Sequence, residues 1–351
     1  MMIHKLLFKG WALVAAFTFI TAASAVAQKF STALEYMEFI GKEHDKISKD
    51  NWQYTSSVAH SKNARAVDGR RKDLISTTLD AKKRIAKMEP FEGDATYRDA
   101  VVKYLELSYN VLNEDYAKIM DMEEVAEQSY DAMEAFLLAK KIAGEKMEAA
   151  SEELNEAQKK FAAAHNINLV ENTSAIQKNM KIAGEVFDYY NTIYLIFFKS
   201  YKQEAYLIDA LNKKDVSALE QNKTALLAAA KDGLSKLDTM RAFKGDKSVI
   251  IAAQNLLKFY IQEAELDVPI MVDMIMKSDQ MTKVKTAFDA KGNSRTKEDV
   301  DQYNKMVAES NASLNAYNAM NNRENAKRTK LLDDYNAKVA AFTNKFVPKD
   351  K

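Results

Sequence analysis

The chain has 351 residues, with 51 Lys and Arg against 50 Asp and Glu, no cysteine, nine glycines and three prolines. A net charge of +1 excludes the basic footprint of a nucleic-acid binder and the acidic bias of a disordered tail. With 47% of residues hydrophobic there is material for a full core, so wholesale disorder is excluded too.

The first predicted element is a secretory leader over residues 1–27. Lys5 and Lys9 supply its positive start, Trp11 to Ala23 is an uncharged apolar run, and Ala25-Val26-Ala27 offers the small side chains that a signal peptidase accepts. Ala23-Ser24-Ala25 is a second possible cut. The competing reading, a retained anchor, needs about 20 apolar residues, and this run is shorter. No cysteine follows it, so the bacterial lipoprotein route is closed. Cleavage leaves 324 residues with a net charge of −1, and no later stretch is apolar enough for a span. The expected product is exported to the periplasm or cell surface. Without disulfides in an oxidising compartment, packing alone must hold it together.

After the leader, eight glycines and three prolines punctuate 324 residues, and Ala, Lys, Glu, Met and Leu dominate. No stretch alternates with the period of a strand. The fold class is therefore all-α. Helices are predicted over 30–61, 64–90, 94–141, 145–166, 172–212, 215–243, 247–290 and 297–346. Asn166 to Leu169 is the expected junction and Lys291 to Arg295 a hairpin tip, while Pro269 should bend its helix. Met180, Phe187, Tyr194, Tyr201 and Ile208 recur every seven residues, with Ile176, Ala183, Tyr190, Phe197 and Leu211 as companions. Val300, Val307 and Leu314 begin a second seam, and Leu331, Tyr335, Val339, Phe342 and Phe346 continue the apolar side of the last helix.

The chain also repeats itself. Ala64–Asp94 aligns without gaps on Val216–Asp246 at an offset of 152, with seven of 31 pairs identical. The identities include the whole Phe-x-Gly-Asp element, Phe91-Glu92-Gly93-Asp94 and Phe243-Lys244-Gly245-Asp246. Glycine ends one helix there and aspartate caps the next. The expected architecture is an elongated bundle of two tandem antiparallel four-helix-type repeats, 28–168 and 169–351.

The usual signatures of chemistry are missing. The exported part has three histidines, His44, His60 and His165, and none lies in a Glu-x-x-His or His-Glu-x-x-His motif. There is no Gly-x-Ser-x-Gly elbow, no cysteine nucleophile and no glycine-rich phosphate loop. Glu35/Glu38 and Glu123/Glu124/Glu127 have the spacing of solvated helix faces. No catalytic, cofactor-binding or metal-ligating residue is assigned.

Three features stand out against that background. Glu204 interrupts the apolar seam between Phe197 and Leu211, where a charge is costly unless paired; either it is an acid that binds a ligand or cation, or it meets a Lys or Arg on a neighbouring helix or is simply exposed near the helix end, and the second reading is preferred. The ring-rich stretch from Phe187 to Tyr201 reads as core, leaving Tyr189 and Phe198 as an exposed patch for a partner. Asn304, Asn311, Asn318 and Asn325 repeat every seven residues, beside Asn315 and Asn322, and form either a neutral solvent face or a face for a protein or glycan. Asn172, Asn222 and Asn311 begin glycosylation sequons, which matter only in a eukaryotic secretory route.

Tyr194 to Ala205, Ala242 to Asp246, Lys297 to Asp301 and Leu332 to Asn336 together resemble a family of bacterial exported surface proteins. The resemblance covers the second half of the exported chain. It implies an envelope location and surface exposure, and it brings no activity or site residues. The expected function is non-enzymatic, by binding or spacing in the envelope, with a protein or glycan partner. Two alternatives stand beside it, a membrane-active helical protein and a small-ligand or metal carrier using Glu204.

Overall fold

A computed structural model describes residues 29–61, 63–115, 125–170 and 174–350. The leader expected at residues 1–27, with both cut sites, lies outside them, as do Glu123, Glu124, Asn172 and Thr173. Among the described residues the fold is all-α, with no strand. The first half holds α1 (Ala33–His60), α2 (Ala64–Ala86), α3 (Thr96–Asn110) and α4 (Tyr130–Ala164). The second holds α5 (Ala175–Asn212), α6 (Val216–Thr239), α7 (Ser248–Gln262), α8 (Val268–Ala290) and α9 (Lys297–Phe346).

Local chemistry accounts for the starts. Thr32, Ser174 and Thr296 form capping boxes with Glu35, Gln177 and Asp299, and Asn63 and Asp215 cap α2 and α6 from the same relative position. Three boundaries differ from expectation. The single helix expected over 94–141 is divided: α3 ends at Asn110, and Ser129 caps α4, which starts at Tyr130. Gly144 lies inside α4, where strong helix formers on both sides outweigh its cost of about 1 kcal/mol. The expected single helix over 247–290 is divided by a π-helical turn, Glu263–Asp267, whose Glu263 carbonyl accepts from Val268 N–H. Pro269 follows as the second residue of α8, so the expected bend becomes a change of helix type. The first half makes the same turn at Val111–Asp115 with no proline nearby, so proline alone is not its cause.

Parts of the two halves match. The starts of α2, α3 and the first π turn recur at an offset of 152 in α6, α7 and the second. Both Phe-x-Gly-Asp turns have left-handed central residues, Glu92 and Gly93 at φ 51° and 85°, Lys244 and Gly245 at φ 48° and 86°. In each, the aspartate accepts at 2.8 Å from the backbone N–H two residues on, at Thr96 or Ser248. A quartet of rings closes over each turn. Tyr36 stacks on Phe161 at 5.5 Å and 23°, as Tyr189 does on Phe342 at 5.5 Å and 25°. Phe91 meets His165 edge-on at 5.2 Å, as Phe243 meets Phe346 at 5.1 Å. Phe161 and His165 thus correspond to Phe342 and Phe346, an offset of 181, so the second half has 29 more residues between its π turn and these rings.

That hairpin departs most from the sequence expectation. No residue from Met276 to Lys305 is buried, and the pair is held by the Phe288–Tyr303 stack at 4.4 Å and by Arg295 over Phe288. The seam expected at Val300, Val307 and Leu314 is not the inner one: Val300 and Leu314 are exposed, and Met306, Ser313 and Met320 are buried one position back. Ser313 hid the pattern because it is polar; its hydroxyl donates to Asp273 Oδ2 on α8 at 2.5 Å.

A cluster around Tyr36, Phe161, Leu105 and Ile85 forms the core of the first half. The core of the second half runs from Val186 to Phe342 and also takes Trp52 from α1. Gly245→Ala should cost about 1–2 kcal/mol, because an added Cβ meets nothing within 4 Å and the whole penalty is the left-handed backbone. Gly93→Ala should cost the same. The drop in urea midpoint of each variant measures it.

Candidate functional site

The candidate site begins on α5. Its inner stripe is Ala183, Val186, Ile193, Phe197, Ser200, Glu204, Leu207 and Leu211, all buried, and with half-buried Tyr190 between Val186 and Ile193 it runs in alternating steps of three and four. The companion line read from the sequence, Ala183, Phe197 and Leu211, is therefore on the seam. Its other line is Val186 to Leu207, one position before the expected Phe187 to Ile208, and Tyr201 is exposed.

Glu204 occupies a full core position at 4% exposure and meets Arg328 of α9. The Arg328 guanidinium is shared: Nε donates to Glu204 Oε1, Nη2 to Glu263 Oε1 at 2.5 Å, and Nη1 to Asn325 Oδ1. Its plane carries on over Phe259, with Cζ 5.4 Å from the ring centre. Glu263 is fully buried and comes from the π turn, which opens the helix where α5, α7 and α9 meet. A second, parallel arrangement lies one turn on. Asp267 and Glu324, both buried, share Arg323 through Nη2 at 3.2 Å and Nε at 2.6 Å. Each pair sets two carboxylates against one guanidinium. One oxygen in each of Glu263, Asp267 and Glu324, and the hydroxyls of Tyr260, Ser200 and Tyr335, make no hydrogen bond.

The electrostatics follow from that count. Burial pushes the Glu204 carboxyl up against the pull of Arg328. Burial and the neighbouring Glu204 carry Glu263 up to about 8. Burial, then the carboxylates of Glu204 and Glu263, raises Tyr260. Burial and Glu324 raise Asp267. Burial opposes the charge on Arg328, but the two glutamates outweigh it and hold the guanidinium above its ordinary value. Burial and mutual repulsion thus favour holding a proton on the Glu204–Glu263 pair above the ordinary carboxylate range, with Arg328 set between the two acids.

The first half builds the corresponding place from apolar groups. Val111, Ala143 and Met147 stand where Glu263, Glu324 and Arg328 stand in the second, and Ser108 replaces Tyr260. Val111 and Ala143 are buried together, with Met147 packed on them. The first half thus closes without the Glu263–Arg328 pair, although Asp115 keeps an acid at the position of Asp267. Replacing a buried ion group with apolar residues is often neutral or stabilising, which makes its presence informative.

The other residues singled out in the sequence fall elsewhere. Asn304, Asn311, Asn318 and Asn325 are exposed along α9, and only Asn325 reaches the centre, through Arg328. Tyr189 and Phe198 do not form an exposed patch. Phe198 is 2% exposed, packed with Ala126 and Met133 and stacked on Tyr194 at 5.4 Å. Tyr189 is half-buried against Phe342, with its hydroxyl donating to the Arg241 carbonyl at 3.1 Å. Their turns of α5 are covered by α4 and α9, partners that a single-helix reading does not contain. His44 bonds Ser48 on its own helix, whereas His60 binds the C-terminal carbonyls of Val347 and Pro348. Among the described residues no group of three or more His, Asp or Glu side chains is placed to hold a metal ion. Glu263, Asp267 and Glu324 escaped the sequence reading because acids on a polar-looking helix resemble a solvated face. The signal available for Glu263 and Glu324 was the absence of an acid at the matching positions of the first half, Val111 and Ala143; Asp267 gave none, because Asp115 matches it.

Comparison of the chain with protein-family models, with curated proteins and with solved structures gives no match.

Proposed function

We propose that the protein is an exported, non-enzymatic helical protein that acts by contact or spacing in the cell envelope. The two halves are read as copies of one unit, 28–168 and 169–351; matched helix bounds, turns and ring quartets support that reading. The leader pattern and the even charge support export and a partner that is neither nucleic acid nor a strongly charged surface. Among the described residues no helix is long and apolar enough to cross a membrane.

The observation that carries the contact role is the outer face of α9. From Ser310 to Asn322 the helix has no charged residue, in a chain that is 29% charged. Asn311, Asn315, Asn318 and Asn322 are exposed there, with Leu314 between them at 46% exposure. A face with hydrogen-bonding amides, small alanines and no charge to desolvate suits a protein or glycan surface. In-cell cross-linking of the tagged chain should return peptides from residues 304–325 joined to one reproducible partner. Asn311→Lys with Asn318→Lys should abolish that product while leaving the melting temperature unchanged. A partner captured equally by both proteins, or none captured at all, removes this face from the function.

A further inference from the structure

One contact between the halves is made where the start of α4 lies on α5. Phe198 is buried there against Ala126 and Met133, with Tyr130, Leu137 and Leu195 packed around them. Two lysines of α5 hold the incoming segment. Lys199 Nζ sits 5.5 Å from the centre of the Tyr130 ring, and Lys202 Nζ donates to the Glu127 carbonyl at 3.0 Å. Tyr130 also lies in the field of Asp232 on α6.

The first half repeats this holding set around an open groove. Tyr36 and Tyr189 take the same place in their ring quartets, an offset of 153 that sets Lys46 and Lys49 of α1 on Lys199 and Lys202. The offset of 152 sets Asp80 and Arg84 of α2 on Asp232 and Lys236. These four residues line a groove of about 450 Å³ between α1 and α2. Lys46 and Arg84 rest on Glu43 there, at 2.8 and 2.5 Å, and Lys49 is exposed beside them. The second half carries the matching ridge. The register of Phe161 on Phe342 runs through the unbroken helices α4 and α9, and it sets Asn311, Leu314 and Asn318 in the places of Tyr130, Met133 and Leu137. All three are exposed.

Groove and ridge have changed character together. Asp45 stands in the place of Phe198 and Lys42 in that of Leu195, both exposed, just as two asparagines replace Tyr130 and Leu137. Rings and aliphatic groups suit a contact that is always closed, whereas amides, a carboxylate and an ammonium suit one that also stands open in water. A face that only capped the bundle would carry charge, and α9 has none from Ser310 to Asn322.

We propose that the chain assembles head to tail, the α9 ridge of one copy lying on the α1–α2 groove of the next and repeating between chains the contact that α4 and α5 make within one. This rests on the contact role read above for α9 and names its partner as a second copy. Lys46 and Lys49 face the ridge as Lys199 and Lys202 face the start of α4, with the Asn311 amide oxygen as acceptor. The Asp45 carboxylate accepts from the Asn318 amide. Such an interface joins two different surfaces, so each assembly keeps one groove and one ridge open at its ends and grows past a pair.

The chain has no cysteine, so introduced thiols report this contact directly. Asp45→Cys and Leu314→Cys, at the places of Phe198 and Met133, should form a disulfide-linked dimer when the two purified single variants are mixed and oxidised. Neither variant alone should do so. In sedimentation velocity the parent chain should grow with concentration beyond a dimer, and Lys49→Glu should lose that growth with its melting temperature unchanged. A parent that stays monomeric, or a mixture that links no better than either variant alone, overturns the proposal. Leu314→Cys linking to itself overturns it too, since that marks a two-fold contact. Capture of a different envelope protein at residues 304–325, by a chain that is monomeric when purified, removes the second copy and leaves the contact role of α9 standing.

Discussion

Arg328→Met should lower the stability of the protein by about 3–5 kcal/mol, read as a fall in the urea midpoint, because it leaves Glu204 and Glu263 buried without a counter-charge. The residue introduced is the one the first half carries at the corresponding site, Met147, so the loss does not come from shape. A triple variant, Glu204→Leu, Glu263→Val and Arg328→Met, should recover most or all of that stability. It converts the centre to the apolar form that the first half already uses around Val111 and Ala143. If Arg328→Met is as stable as the parent, the guanidinium is not what compensates the two acids. If the triple variant is as unstable as the single one, the charged centre is a packing requirement after all.

The second large effect is on pH. An acid whose pKa is raised by folding holds its proton more tightly in the folded state. Its contribution is intact below the ordinary value of 4.5 and is lost as pH rises toward the folded value, about 8 for Glu263. The melting temperature should therefore fall across that window, most of all in the second half. Glu263→Gln keeps an acceptor for Arg328 and removes that ionisation, so its profile should be shallower over the same range, the remainder coming from Glu204 and Asp267, which burial also raises. The sense is opposite for Asp246, which Lys345 and the Ser248 hydrogen bonds hold at about 2; its contribution is present above the ordinary 3.8 and fades below it. The two windows do not overlap, so a fall between pH 4.5 and 8 reports the buried centre. A parent profile already flat there would show that the pair carries no extra proton.

The polar centre was partly legible. Glu204 was visible because a charge broke a seam, and the preferred reading, a basic partner on a neighbouring helix, is what Arg328 provides. Its companions were not visible, since the π turn that swings Glu263 and Asp267 inward depends on how α7 meets α8 and α9. The seam on α9 was misplaced by one residue for a related reason. Ser313 is buried through a bond to Asp273, a partner 40 residues away that helix periodicity does not reveal. Tyr189 and Phe198 went wrong in the other direction, as leftovers of one helix that other helices cover.

From composition and spacing alone came the all-α class, the helix starts other than those of α4 and α8, the two Phe-x-Gly-Asp turns and the offset that relates them. These are local properties, set by propensity, capping and the left-handed freedom of glycine, and they act within a few residues of the signal. The tertiary structure decided which acids are inside and which rings meet across 70 or more residues. Those are differences between surfaces brought together by packing, and burial is a property of the assembled neighbours rather than of the residue that is buried.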